Sequence, residues 1–219
     1  MDVNPQQRQY AAATQRNRQP ILEILQEVLP PCGTILEVAS GTGEHCIYFA
    51  PRLRHLQWWP SEPNPILRES IIAWRSHFPS NNLHPPIFLN ACDRVWPMEA
   101  GTIPEGMTPE EFNANPIAAM VNINMIHISP WATCLGLMAG AGRILPPEGI
   151  LYLYGPYKRD GRHTAPGNEE FDRALRSSNP EWGVRDLEAI IAAAEAENLT
   201  VLKVVEMPAN NLSVIFQRW

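Results

Sequence analysis

The stretch that decides the fold reads Ile35-Leu36-Glu37-Val38-Ala39-Ser40-Gly41-Thr42-Gly43-Glu44-His45. It begins as a short apolar strand and passes through an acidic residue into a Gly-x-Gly turn at Gly41 and Gly43. A helical pattern follows, with Ile47 and Leu53 among its apolar positions. Glycine permits positive φ and close approach of a ligand, and free N–H groups at a helix start face that ligand. The pattern predicts a nucleotide-like ligand beside the first strand of an α/β sheet.

The acidic residue in this stretch indicates which nucleotide-like ligand to expect. Dinucleotide oxidoreductases typically have Gly-x-Gly-x-x-Gly, but the third position here, counted from Gly41, is Cys46. Glu37 lies four residues before Gly41, and a carboxylate there suits a cation better than a pyrophosphate. S-adenosylmethionine carries an ammonium and a sulfonium, so we expect it as the cofactor, with a nicotinamide cofactor as the less favoured alternative. The residues expected to bind it at the turn are Glu37, Ala39, Ser40, Gly41 and Gly43.

Composition and charge argue against several functional classes. The chain has 219 residues, 45% of them hydrophobic, and a formal net charge of −6, which suits one well-buried α/β domain. It has no Lys/Arg cluster typical of nucleic-acid binding, no apolar run near the roughly 20 residues of a membrane span, and no signal-peptide core. Its four cysteines form no Cys-x-x-Cys pair. We therefore expect a cytoplasmic protein in a reducing compartment, with no metal, nucleic-acid or membrane partner.

Segments of strand and helix periodicity alternate along the chain. The expected strands are 34–39, 56–60, 86–90, 117–123, 150–154, 200–206 and 212–217. Alternation of this kind predicts a parallel sheet with right-handed crossovers. The last two strands are joined only by residues 208–211, and so short a connection forces an antiparallel pair. We predict a Rossmann-like α/β fold similar to that of class I methyltransferases, with a seven-stranded, mostly parallel sheet, an antiparallel last strand and helices on both faces.

The domain organisation is expected to be simple, with residues 1–219 forming a single domain. Residues 1–30 are expected to form an N-terminal arm and a helix that Pro20 opens. Residues 98–116 are rich in Gly, Pro, Thr and Glu, and we interpret them as an insertion or lid. Residues 155–167 are expected to form a long polar loop.

Polar residues at the ends of the second and third predicted strands are expected to bind adenosine. Glu62 lies 25 residues beyond Glu37, and an acid about 20 residues after a glycine turn accepts the ribose hydroxyls. Glu62 and the adjacent Pro63 are therefore expected at the ribose. The alternative for Glu62 is a cap of the next helix. Asn90, Ala91 and Asp93 are expected to meet the adenine edge. The alternative for these residues is a turn stabilised by Asn and Asp side chains.

The fourth predicted strand ends in a third polar group. Ligands of open α/β sheets bind outside the carboxyl ends of the central strands. Asn124, Met125 and His127 are therefore expected to face the methionine part of the cofactor or the substrate. The pKa of an unperturbed histidine lies near neutrality, so His127 is a candidate general base. A structural hydrogen-bonding role for His127 is the alternative.

Several separated blocks of sequence resemble one known family. They are 16–18, 36–45, Pro60-Ser61-Glu62, 124–131, Tyr154-Gly155-Pro156-Tyr157, 182–186 and 207–212. These blocks resemble the methyltransferase-like 26 family, from about residue 10 to the C-terminus. The resemblance implies a class I fold and binding of S-adenosylmethionine. Two positions depart from the expected pattern, since Glu62 and Asn90 stand where aspartate is expected.

The same blocks mark an expected substrate face. By this resemblance Asn17 and Arg18 fold over the glycine turn, and Arg18 pairs with the carboxylate of the cofactor. Tyr157 is a second catalytic candidate beside His127. The residues expected to bind substrate are Asn17, Trp131, Tyr154 and Asn210. Loop scaffolding is the alternative role for Tyr154, Tyr157 and Asn210, and a tight hairpin turn is the alternative for Asn210-Asn211.

The expected function is methyl transfer from S-adenosylmethionine to a small molecule. The alternative is a non-catalytic protein that keeps the fold and works through S-adenosylmethionine binding or protein partners. Exposed apolar surface at Trp58-Trp59 or Trp219 would favour that alternative.

Overall fold

The computed structural model describes residues 5–219, with Pro5 described by its backbone only. The chain divides into two compact units, and each is described by itself. The first unit is Met1–Asn90 with Val95–Val121, and the second is Ala91–Arg94 with Asn122–Trp219. The helices are α1 (Ala12–Val28), α2 (Glu44–Phe49), α3 (Pro65–His77), α4 (Pro109–Ala114), α5 (Trp131–Ile144), α6 (Pro166–Ser178) and α7 (Leu187–Glu195). The strands are β1 (Thr34–Glu37), β2 (Gln57–Pro60), β3 (Ile117–Ile123), β4 (Ile150–Arg159), β5 (Arg162–His163), β6 (Arg185–Asp186), β7 (Leu199–Met207) and β8 (Asn211–Arg218).

The first unit is built on a parallel ladder. Strand β1 pairs in parallel with β2 on one side, where Ile35 opposes Trp58, and with β3 on the other, where Ile35 opposes Ala119. Every residue of β1 is buried, as expected for a central parallel strand covered on both faces. The glycine turn therefore follows directly after a fully buried strand.

The strand predicted at 86–90 is wrong as a continuous strand. The chain there forms only isolated parallel bridges, Trp58 with Leu83 and Ser61 with Ile87. Pro85 and Pro86 lie between the two bridges. Because proline has no main-chain N–H, two consecutive prolines interrupt the ladder.

The N-terminal helix also differs from the prediction. Helix α1 begins at Ala12, and Pro20 lies inside it rather than at its start. The main-chain N–H of Ala11, just before the helix, donates to the carboxylate of Glu44. This long-range contact supports the earlier start, and buried Ile21 and Leu25 hold the helix beyond the proline. Tertiary contacts thus outweigh the local preference of proline for the first helical turn.

The segment interpreted as an insertion or lid contains its own helix. Helix α4 begins with a capping box in which Thr108 and Glu111 exchange hydrogen bonds with each other's main-chain N–H. Phe112 of this helix makes an edge contact with Trp59, with 6.0 Å between ring centroids. The lid role and the single-domain organisation of the chain stay predictions.

The second unit carries the antiparallel strands. Strand β8 pairs antiparallel with both β4 and β7, which confirms the predicted reversal. The polar loop predicted at 155–167 is wrong, because β4 continues to Arg159 and folds back into β5. Asp160 and Gly161 both have positive φ, 51° and 72°. An Asp-Gly pair with this geometry makes a tight hairpin turn, and that signal was present in the sequence.

The parallel ladder of the first unit and the reversed C-terminal strand of the second confirm the predicted α/β class. The strand inventory differs in that bridges replace the third predicted strand and the two-residue strands β5 and β6 are added. Within residues 5–219, no helix combines the length and the apolar character needed to cross a membrane.

Candidate functional site

The glycine turn after β1 adopts left-handed backbone geometry at alternate positions. The φ angles are 57° at Ala39, 57° at Gly41 and 91° at Gly43. A Cβ on Gly43 would lie 2.8 Å from Cγ1 of Ile71 in α3, so both the backbone angle and the close packing require glycine there. Ala39 is a non-glycine residue in a region that L-residues rarely adopt. The surrounding structure therefore holds this turn in one shape.

Glu62 is joined to this turn by its carboxylate. The main-chain N–H of Gly41 donates to Glu62 Oε2 at 2.9 Å, and that of Asn64 donates to Oε1 at 3.0 Å. The cap of α3 is Asn64, whose side chain accepts from the N–H of Ile66, so Glu62 is not the helix cap. The residue is only 5% exposed. Burial raises the pKa of Glu62, and the hydrogen bonds from Asn64 and Gly41 oppose that rise.

Glu37 lies deeper, at the end of β1. It is 2% exposed, and Trp58 Nε1 donates to its Oε2 at 2.7 Å. Burial raises the pKa of Glu37 to about 8, and the Trp58 hydrogen bond only partly offsets this effect. Glu37 is therefore largely protonated at neutral pH. A cation bound nearby would stabilise the ionised carboxylate.

The N-terminal helix contacts the start of α2, directly after the turn. Asn17 Oδ1 lies 2.9 Å from Nε2 of His45, and burial together with the charge of Arg18 lowers the pKa of His45 to about 3. Arg18 places its guanidinium carbon 4.5 Å from the centroid of the Tyr48 ring. Asn17 thus contacts α2, the helix that follows the turn, and the Arg18 guanidinium lies over the Tyr48 ring of the same helix.

In the second unit, the predicted residues after β3 form a compact loop. Asn124 has a φ of 63° and opens a 3-10 turn, Met125–His127, and its N–H donates to the carbonyl of Tyr154 at 2.8 Å. The His127 ring packs on Gly155, where a Cβ would lie 2.4 Å from Nε2. It also meets the Tyr157 ring edge-on, with 5.1 Å between centroids. The structure therefore brings Asn124, His127, Tyr154 and Tyr157 together.

The His127 and Tyr157 side chains are buried polar groups. In the part of the chain that the structure describes, neither ring nitrogen of His127 nor the hydroxyl of Tyr157 has a hydrogen-bond partner. Burial lowers the pKa of His127 to about 3 and raises that of Tyr157 well above its ordinary value. Both side chains are therefore neutral at pH 7. A histidine with so low a pKa is a weak general base, so hydrogen bonding is the chemistry that this pair favours.

Sequence reasoning assigned no role to Arg185, which holds this loop in place. Its Nε donates to the carbonyl of Ile126 at 3.0 Å and its Nη2 to that of Ser129 at 2.6 Å. Its guanidinium carbon lies 5.7 Å from the Trp131 ring centroid. The N–H of Gly183 donates to the carbonyl of His127 at 2.9 Å. These contacts join residues far apart in the chain, and the sequence signal for them is that both partners lie in blocks 124–131 and 182–186 of the family resemblance.

Asp172 on α6 anchors the same segment. Its Oδ1 accepts a hydrogen bond from the N–H of Val184 at 2.7 Å. Its carboxylate lies 3.3 Å from Lys158 Nζ and 3.2 Å from Arg176 Nε. Burial opposes ionisation, but these hydrogen bonds and the charge of Lys158 hold the pKa of Asp172 below its ordinary value. An ionised Asp172 thus fixes the residues directly before Arg185.

The remaining predicted site residues range from buried to exposed. Ala91 approaches α5 closely, since a Cβ on Gly136 would lie 2.2 Å from the Ala91 carbonyl oxygen. Asn210 lies against α6, where its carbonyl accepts from the Asn168 side chain at 2.9 Å. Pro63 and Asp93 are exposed, Asn90 and Trp131 are half-buried, and Met125 is buried.

Comparison with known families gives one match across nearly the whole chain. The family of proteins of unknown function termed DUF938 matches residues 8–218. The chain belongs to the DUF938 family.

Solved structures similar to this DUF938 chain include methyltransferases. An O-methyltransferase family protein from Burkholderia thailandensis has a TM-score of 0.72 and 16% identity, over 94% of this chain and 57% of that protein. An O-methyltransferase family 2 protein from Planctomyces limnophilus, in complex with apigenin, has a TM-score of 0.70 and 15% identity, over 94% of this chain and 60% of that protein. Human N-acetylserotonin methyltransferase, in complex with S-adenosylmethionine, has a TM-score of 0.68 and 10% identity, over 94% of this chain and 52% of that protein.

These similarities show that the DUF938 chain has a methyltransferase fold. The covered shares of 57%, 60% and 52% mean that it spans between half and about three fifths of the length of those proteins.

Proposed function

We propose that this protein is an S-adenosylmethionine-dependent methyltransferase that acts on a small molecule in the cytoplasm. The observation that carries the proposal is the carboxylate of Glu62 held on the N–H of Gly41, 2.9 Å away, at the end of β2. A buried acid in this position suits a vicinal diol beside the glycine turn. The methyltransferase fold supports the same conclusion, and the resemblance to the methyltransferase-like 26 family is part of this proposal.

The residues present fit the cofactor chemically. Glu62 retains acceptor lone pairs for ribose hydroxyls after its two main-chain hydrogen bonds. The buried carboxyl of Glu37 favours the cationic end of the ligand, because a nearby positive charge stabilises its ionised form. The other residues proposed to hold the cofactor are Arg18, Ala39, Ser40, Gly41, Gly43, Pro63, Asn90, Ala91, Asp93, Asn124 and Met125.

The chemistry proposed for the chain is alignment rather than strong base catalysis. When bound, S-adenosylmethionine supplies a methyl group already activated by its sulfonium. His127 and Tyr157 are buried, neutral and without hydrogen-bond partners within residues 5–219. We assign to them the binding of the polar atom of the methyl acceptor, since a ligand would satisfy atoms that are costly to leave unpaired. Positioning the acceptor in a dry site supplies much of the rate enhancement. Asn17, Trp131, Tyr154 and Asn210 are proposed to bind the rest of the substrate.

Calorimetry of the purified protein tests the cofactor. We expect binding of both S-adenosylmethionine and S-adenosylhomocysteine, and no binding of either at millimolar concentration would overturn the proposal. Tight binding of NAD without any response to S-adenosylmethionine would favour an oxidoreductase instead. Transfer of a labelled methyl group to members of a metabolite panel then tests catalysis.

A non-catalytic binding module on the same fold is the second candidate. The exposed surface that would favour it is only partly present, because Trp58 and Trp59 are fully buried while Trp219 is 72% exposed. Labelled methyl transfer to any small molecule would exclude a purely non-catalytic role. Cofactor binding without transfer to any member of the panel would favour it.

A further inference from the structure

The first unit contains a groove that shares Arg18, but none of the glycine turn, with the proposed cofactor-binding residues. Residues of α1, α2 and α3, together with the residues that directly follow α2 and α3, line an open groove of about 620 Å³, within the range of small-molecule sites. The residues that give it its chemistry are Arg18, Tyr48, Arg52, Trp74 and Phe78. The glycine-turn residues 39–43 are not part of its lining. The groove therefore does not include the proposed cofactor-binding turn.

Two guanidinium groups lie over one aromatic ring in this groove. The guanidinium carbons of Arg18 and Arg52 are 4.5 Å and 3.8 Å from the centroid of the Tyr48 ring. Arg52 Nη1 donates to the carbonyl of Tyr48 at 2.9 Å, and the Tyr48 hydroxyl donates to Gln19 at 2.6 Å. The ring and the Arg52 side chain are thus held in position before any ligand arrives.

The positive charge of these groups is not matched by a carboxylate. Within residues 5–219, neither Arg18 nor Arg52 forms an ion pair. Glu44 is the acid in the lining. Its carboxylate is engaged by the N–H of Ala11 and, at 3.2 Å, by the hydroxyl of Thr42. The groove therefore keeps a net positive character with guanidinium N–H groups free to donate.

Two aromatic side chains, Trp74 and Phe78, also line the groove. The Trp74 and Phe78 rings are stacked, with 5.9 Å between centroids and 19° between planes. Phe78 is 52% exposed, so a flat apolar group in the groove would cover part of its surface. Burial of that surface is favourable by the hydrophobic effect.

We propose that this groove is a binding site for a small aromatic carboxylate. Guanidinium groups recognise carboxylate oxygens through charge-assisted hydrogen bonds, and the Trp74–Phe78 pair accommodates the aromatic ring. Binding of the carboxylate at this groove requires no cofactor. Since Arg18 is also a proposed cofactor ligand, Arg52 is the residue that tests the groove.

The experiment compares two probes of the same shape and different charge. Calorimetry with 2-naphthoate and with neutral naphthalene-2-carboxamide is carried out on the wild type, on Arg52→Gln and on Arg54→Gln. Arg54 is a matched control, because it is exposed, its Nε bonds the carbonyl of Pro51 at 3.1 Å, and it does not line the groove. We expect naphthoate to bind about 10-fold more tightly than the carboxamide. Arg52→Gln should remove most of that preference, and Arg54→Gln should leave it within about twofold.

The location of binding is checked by nuclear magnetic resonance of the indole N–H groups. Naphthoate should shift the Trp74 signal, assigned by its loss in Trp74→Phe. Equal affinity for the two probes, no naphthoate binding at millimolar concentration, or equal effects of the two arginine substitutions would each overturn the proposal. These outcomes are independent of S-adenosylmethionine binding.

Discussion

The carboxylate of Glu62 accepts a hydrogen bond from the main-chain N–H of Gly41 at 2.9 Å, although 21 residues separate the two in the chain. Glu62 thereby joins the end of β2 to the turn that follows β1. This contact makes Glu62 both a structural residue and the proposed ribose ligand. Substitutions at this position therefore have to be judged by two measurements.

Glu62→Ala is expected to weaken binding of S-adenosylhomocysteine by about 10- to 150-fold, corresponding to about 1.5–3 kcal/mol for hydrogen bonds to a charged group. Glu62→Gln should have a smaller effect, because one acceptor oxygen remains. The alanine variant should also lower the free energy of unfolding by about 1–3 kcal/mol, since two main-chain N–H groups lose their acceptor. Calorimetric titration and urea denaturation measure the two effects.

Asn64→Ala is the control for this prediction. It removes the cap of α3 and should lower stability by about 1 kcal/mol without changing affinity. Unchanged affinity in Glu62→Ala would contradict the placement of the ribose.

The buried carboxyl of Glu37 is expected to make stability depend on pH. Its pKa rises from 4.5 to about 8 on folding, so the folded state binds more protons than the unfolded state between these values. Stability should therefore fall as pH rises from about 4.5 to 8, by up to about 1.4 kcal/mol per pH unit. Glu37→Gln should flatten this dependence in urea denaturation at several pH values. The exposed Glu170→Gln serves as control, and an equally steep profile in Glu37→Gln would contradict the assignment.

Binding of S-adenosylmethionine is expected to release a proton near pH 7. The positive charge of the ligand favours the ionised form of Glu37, which is mostly protonated in the free protein. Calorimetry in phosphate and in Tris should therefore give different apparent enthalpies, because the two buffers differ in heat of ionisation. The difference should disappear in Glu37→Gln. Identical enthalpies for the wild type in both buffers would argue against a cation beside Glu37.

Gly155→Ala is expected to displace the His127 ring. A Cβ there would lie 2.4 Å from His127 Nε2 and 3.2 Å from Asn124 Oδ1. The clash should lower the free energy of unfolding by about 1–3 kcal/mol. Gly167→Ala is a matched control, because in the described part of the chain its added Cβ would meet nothing within 4 Å beyond the adjacent residues and the backbone of its own helix. It should be neutral or stabilising by about 0.4–1 kcal/mol. Equal stabilities of Gly155→Ala and the wild type would show that the ring is not confined.

Arg185→Lys is expected to loosen the loop that carries His127. A lysine cannot donate to the Ile126 and Ser129 carbonyls in the fork geometry of arginine, so stability should fall by about 1–3 kcal/mol. Amide hydrogen exchange should speed up at residues 124–131. Arg173→Lys is the control, because its exposed side chain lies 3.7 Å from Glu169 and such surface pairs contribute little. Unchanged exchange in Arg185→Lys would mean that the loop holds its shape unaided.

The fold followed from the sequence wherever local pattern and tertiary structure agree. Alternating periodicity predicted the parallel ladder, and the short connection before β8 predicted the antiparallel pair. The predictions failed where a contact from another part of the chain decided the outcome. Glu44 holds the N–H of Ala11, so α1 begins well before Pro20. Two other differences have a signal in the sequence itself. The Pro85-Pro86 pair interrupts the third predicted strand, and the Asp160-Gly161 pair makes a hairpin turn within the predicted loop.

The sequence by itself determined the glycine turn, the acids placed before and after it, and the reversed last strand, because each depends on neighbouring residues or on the length of a connection. Only the tertiary structure decided the state of the side chains. Glu37 is largely protonated because it is buried. Burial by the fold leaves the side-chain polar atoms of His127 and Tyr157 without hydrogen-bond partners within residues 5–219. Arg185 holds its loop through the carbonyls of Ser129 and Ile126, which are 56 and 59 positions away in the chain. Burial and long-range hydrogen bonds depend on the whole fold, and no local pattern encodes them.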